Sequence, residues 1–179
     1  DEKMKFFLKH RALIMEWAAL RDRAATELDQ ALEMAVADMP LPDPVAPKFN
    51  KYSQQTYVHL AVPGADGVPA WVELTWWPKT LFNEVGGNAW PILLVGASSK
   101  PELPTLRDAV KEATRPLRAA HGLDHEGRGS SPWVWYGTLD ADEPIDIDEY
   151  ARACAERFHA AWADLHPRML DAIRTLGRV

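Results

Sequence analysis

The sequence lacks most of the features that would assign it a chemistry. It holds a single cysteine, Cys154, so no disulfide can form within the chain and nothing points to an oxidising compartment. That residue reads as a small buried apolar side chain. No apolar run approaches the roughly 20 residues that cross a bilayer, and the amino terminus has no uncharged signal-peptide core. The chain is therefore expected to be soluble and cytoplasmic, without a membrane partner. Cations are few: the formal net charge is -6, and the one dense basic cluster, Lys3, Lys5, Lys9 and Arg11, reads as solvated charge at a helix start. Broad nucleic-acid binding needs a concentrated positive field and is not expected. A glycine-rich phosphate loop, a Gly-x-Ser-x-Gly elbow, a Cys-x-x-Cys pair and a His-Glu-x-x-His motif are all missing. No catalytic residue, metal site or cofactor is assigned, and enzymatic activity is not the first expectation.

What is present suffices for one domain over residues 1–179, because 47% of the chain is hydrophobic. From about Lys3 to Ala37 there is neither glycine nor proline, and Leu13, Trp17, Leu20, Ala24, Leu28, Leu32 and Val36 recur at helical spacing. A long helix over 1–38 would extend roughly 50 Å, more than the width of a domain this size, so it must bend or project one end toward a partner. Residues 39–55, with Pro40, Pro42, Pro44 and Pro47, read as an extended connector.

The rest, 56–179, carries the sheet and further helices. Thr56–Val62 and Ala70–Trp77 alternate with period two around a Pro63–Gly67 turn, the pattern of a β-hairpin. Trp90–Ala97 is apolar on both faces, and Trp133–Leu139 is a fourth strand. Between them Leu106, Val110, Ala113 and Leu117 form a helix stripe, with Pro104 at its start, Pro116 kinking its last turns, a glycine turn at Gly86 and Gly87 before the third strand, and Gly122 past the helix end. Asp146 with Glu149 makes a capping-box-like start for a final helix, which Pro167 should bend or divide. The expected fold is α+β: a roughly four-stranded, mainly antiparallel sheet with long N- and C-terminal helices and one intervening helix.

The hairpin supplies the candidate site. One face carries Val58, Leu60, Val62, Val72, Leu74 and Trp76. The other carries Tyr57, His59, Ala61, Trp71, Glu73, Thr75 and Trp77, an aromatic and polar mixture unlike a core. Tyr57, His59, Trp71, Glu73 and Trp77 are taken as a binding surface, since tryptophan and tyrosine bury much area at small conformational cost. Two other readings stand beside it: the first helix covers this face, or His59 and Glu73 do acid/base or metal chemistry. Of eight tryptophans, Trp17, Trp76 and Trp162 read as core, and Trp71, Trp77 and Trp135 as surface. His121, Asp124, His125 and Glu126 gather metal-ligand types on a glycine-rich loop, which reads as solvated. The acidic run Asp140, Asp142, Glu143, Asp146, Asp148 and Glu149 lacks the spacing of a calcium loop and suits a helix start.

The segments FFLKHRALIMEWAALRDRAATELDQAL, WVELTWWPK, PWVWYGTL and IDIDEYARACAERFHAAWADLHPRMLDAI together resemble the region that follows the catalytic core in uncharacterised bacterial proteins of the PD-(D/E)XK nuclease superfamily. The resemblance spans nearly the whole chain as a pattern of helices and tryptophans. It implies an accessory region and no catalytic residues, because Glu73 is followed by Leu74 and Thr75 where the nuclease pattern needs a residue and then lysine. A recognition or assembly domain with a protein partner, or one that self-associates, is the functional expectation. A divergent metal-dependent hydrolase and a homo-oligomeric structural protein are the alternatives. The chain opens on Asp1, which leaves open a trimmed, a processed and a longer natural chain.

Overall fold

Unbroken by glycine or proline, Glu2–Ala37 forms the 36-residue helix α1, whose first turn is capped by the Asp1 carboxylate accepting from the Lys3 amide at 2.9 Å. At 1.5 Å per residue it is about 54 Å long. The structure is a computed structural model that describes residues 1–41, 46–52, 54–64, 67–83, 89–98, 105–129, 131–141 and 146–176, with the side chains of 63, 64 and 67–69 excepted. After α1 come the strands β1 (Lys48–Lys51), β2 (Thr56–Gly64), β3 (Gly67–Trp76) and β4 (Ile92–Ala97), then the helix α2 (Leu106–Thr114). Strands β5 (His125–Glu126) and β6 (Trp133–Thr138) and the helix α3 (Ile147–Thr175) complete the order.

The strands form one antiparallel sheet in the order β1-β2-β3-β4-β6-β5. Its register follows the period-two pattern: Val58 faces Leu74, Leu60 faces Val72, and across β3 these face Leu93 and Val95. That face is the core. α3 lays Cys154, Phe158, Trp162, Leu165, Met169 and Ile173 against it, and Leu28, Leu32 and Val36 of α1 join the same cluster. Trp76 ties α1 to the sheet by donating its indole N–H to Asp29 at 2.6 Å. Cys154 is buried and its thiol is pushed up to about 11 by desolvation, as suits a packing residue.

The hairpin, the interior third strand and the capped final helix are as expected; Asp146 does accept from the Glu149 amide, at 2.9 Å. One expectation needs correction. The sheet has six strands, not roughly four, because β1 forms inside the proline-rich connector and β5 inside the glycine-rich loop. Both are short and polar, and each is specified by the neighbour it pairs with more than by its own residues. α3 continues through Pro167 without ending, although the proline has no amide to give to Ala163. α2 ends at Thr114 and passes through short 3-10 turns around Pro116 to Gly122, whose left-handed backbone (φ 68°) turns the chain toward β5. Pro42, Pro44, the hairpin-tip residues Ala65 and Asp66, Gly86, Gly87, Pro104, Asp142 and Glu143 lie outside the described residues. Among the described residues no helix is long and apolar enough to cross a membrane.

Leu32 is fully buried whereas Met15, on the same helix, is exposed. Leu32→Ala is expected to cost about 2–5 kcal/mol by urea unfolding, from lost burial and the cavity left behind, and Met15→Ala less than about 0.5 kcal/mol.

Candidate recognition surface

The side chains that alternate away from the core form rows across the sheet. One crosses all six strands through successive registered pairs: Lys48, His59, Glu73, Leu94, Tyr136 and His125. A second runs Asn50, Tyr57, Thr75, Ile92 and Thr138, and a third Ala61, Trp71, Gly96 and Trp133. The helices lie on the other side, since α1 and α2 pack on α3, and Trp76 and Lys51, whose row points away from this face, are bonded to α1 through Asp29 and Glu33. The expectation that α1 covers the aromatic face is thereby excluded.

Among the described residues no helix lies above these rows, yet Leu94 and Thr75 are fully buried in them. The Trp71 indole lies against Gly96, so closely that a Cβ at 96 would sit 2.2 Å from its Cε2. Glycine at 96 is thus the seat of the ring. From there the indole N–H donates to Glu73 Oε2 at 3.0 Å. Below it Glu73 is only 7% exposed, which explains why its carboxyl is pushed up to about 7: burial disfavours the anion, and the single indole bond offsets part of that cost. Thr75 is fully buried, accepting from Gln55 Nε2 at 2.8 Å and donating to the Thr56 carbonyl at 3.3 Å.

Aromatic rings flank this centre. Tyr52, Tyr57 and His59 stack in sequence toward the β1 edge, with centroids 5.8 and 6.0 Å apart. Desolvation is the first cause that raises the Tyr57 phenol to about 12, and desolvation followed by the nearby Lys48 lowers His59, so His59 is neutral near pH 7. On the opposite flank Tyr136 packs on Trp133 at 5.4 Å and on His125 at 5.2 Å. The result is a largely apolar platform with one carboxyl poised between its charged and neutral forms.

Of the five expected site residues, Tyr57, His59, Trp71 and Glu73 share this face. His59 and Glu73 are paired in register, but no ion pair joins them among those of the described residues. Trp77 falls just past the end of β3, in a turn where its carbonyl accepts from the Thr80 and Leu81 amides. Two tryptophans exchange roles relative to the sequence reading. Trp135 is core, 2% exposed, with its N–H on Thr114 and Arg118 4.7 Å from its ring centroid; Trp17 is 60% exposed. Tyr136, Trp133 and Gly96 belong to the platform and were not singled out from sequence, and His125, read there only as a loop residue of metal-ligand type, joins them. The signal for them was register, which needs the β4–β6 pairing and its bulge at Gly96. The metal-type loop residues are dispersed: His121 faces Asp164 at 3.2 Å, His125 lies tilted against Tyr136 and Glu126 pairs with Lys111. Among the described residues no group of three or more His, Cys, Asp or Glu side chains is placed to hold a metal ion.

No family model, curated protein or solved structure matches the chain.

Glu73 gives the surface a pH signature. Its folded carboxyl titrates near 7 and its unfolded one near 4.5, so between these values the unfolded chain has released a proton that the folded chain still holds. Stability then falls as pH rises through this window and levels off above it. Glu73→Gln should remove the slope: the variant matches the wild type near pH 4 and exceeds it above pH 7 by up to about 3 kcal/mol in urea unfolding.

Proposed function

We propose that the chain is a non-catalytic recognition or assembly domain that binds a protein partner through the open sheet face, with Tyr57 and Trp71 as anchors and Glu73 as acceptor for a basic side chain. The observation that carries this reading is a nearly buried carboxyl set among aromatic rings on a sheet face that the helices leave bare. Such rings supply contact area at low entropic cost and favour cations over their faces. A lysine or arginine brought to Glu73 relieves the penalty of ionising it, so binding is coupled to loss of the carboxyl proton. In keeping with the resemblance to accessory regions of nuclease-type proteins, the domain would serve a neighbouring catalytic unit by recruiting its partner. The geometry favours the recognition reading over the hydrolase alternative: among the described residues no ion pair joins His59 to Glu73, and no group of three or more His, Cys, Asp or Glu side chains is placed to hold a metal ion.

A partner captured by the wild-type chain should be lost by Trp71→Ala and weakened at least about tenfold by Glu73→Gln, with far-UV circular dichroism unchanged. Its wild-type affinity should rise from pH 6 to pH 8, and that rise should vanish in Glu73→Gln. If both variants bind with wild-type affinity, the open face is not the recognition surface.

A further inference from the structure

α1 has two halves with different environments. From Ala25 onward it sends Leu28, Ala31, Leu32 and Val36 into the core, whereas Phe6, Leu13, Trp17 and Leu20 are exposed. Along this free half Phe6, His10, Leu13, Trp17 and Leu20 are spaced alternately by four and three residues. That is the 3.5-residue repeat with which one helix seats continuously on another. On one flank of the seam Glu2, Lys9, Glu16 and Arg23 recur every seven residues, and on the other Phe7, Ile14 and Arg21.

We propose that this segment pairs with the same segment of a second copy of the chain, antiparallel, about a two-fold axis between Arg11 and Ala12. In that register Phe6 faces Trp17 of the second copy, His10 faces its Leu13, and Lys3 faces its Leu20. Antiparallel pairing brings like-named flanks together, so Lys9 meets Glu16 of the second copy, Glu2 meets its Arg23, and Phe7 meets its Ile14. Symmetry forms each contact twice. Sliding by one heptad in one direction sets Lys9 on Arg23 and Glu16 on its own mate; in the other it sets Glu2 on Glu16 and Lys9 on its own mate. Parallel pairing puts Lys9 against Ile14 and gathers the Lys3, Lys5, Lys9 and Arg11 clusters of both copies at one end. The charges thus select one register among the alternatives, and it engages about 33 Å of helix, all of it N-terminal to Ala25, the first buried residue of α1. Glu2 and Arg23 have exposed partners within their own helix, Lys5 and Glu27, at 3.4 and 3.8 Å; among the described residues Lys9 and Glu16 have none.

Sedimentation equilibrium of the whole chain tests this. The expected mass is twice the 20.1 kDa of one chain. Lys9→Glu and Glu16→Lys alone should each raise the dimer dissociation constant about tenfold or more, and the two together should return it to near the wild-type value. A monomer at every concentration overturns the proposal, as does a mass that ignores the single reversals. A double variant as weak as the singles overturns the antiparallel register, since a parallel pair would not be rescued. Because these side chains are exposed and outside the open sheet face, the outcome is separate from that of the Trp71 and Glu73 variants.

Discussion

The constraint behind the whole structure is that the helices all bury the same face of one antiparallel sheet. Once Val58, Leu60, Val72, Leu74, Leu93 and Val95 are matched to α3 and the docked half of α1, the period-two pleat sends every alternate residue to the side away from α1, α2 and α3. Some of those residues shield one another. Trp71 lying on Gly96 is the central case: the ring covers β4, and its N–H reaches the one carboxylate of the row. The raised affinity of Glu73 for its proton is the electrostatic cost of this shielding.

The same constraint accounts for the exposed half of α1. A helix of about 54 Å laid on a much narrower domain runs past it, and the core contacts stop one turn beyond Leu20. Apolar residues in that overhang cannot be satisfied by this chain's own sheet. The open face and the overhang are therefore two separate consequences of one architecture.

Much of this was legible in the residues. Strict alternation in 56–62 and 70–76 set the hairpin and both its faces, and Asp146 with Glu149 set the start of α3, because each signal is local and depends on few neighbours. What was hidden depended on distant pairing. The four residues of β1 and the two of β5 are strands only because β2 and β6 offer edges to them. Trp17 and Trp135 were exchanged for a related reason: a helical stripe states that a face is apolar, not whether the same chain covers it, and the outward or inward sense of Trp135 depends on its pairing with Val95. Trp77 continues the alternation on paper, yet β3 turns one residue earlier.

The open face can be read most directly from the indole N–H resonances, followed by two-dimensional NMR from pH 6 to pH 8. Trp71 donates to Glu73, Trp76 to Asp29 and Trp135 to Thr114, so the three report on the bare face, the α1 junction and the α2 core. The expected result is a titration of the Trp71 indole with a midpoint near 7, abolished in Glu73→Gln, together with faster solvent exchange than Trp135. A Trp71 signal that neither titrates nor exchanges faster than that of Trp135 would contradict an open face centred on a proton-sharing carboxyl.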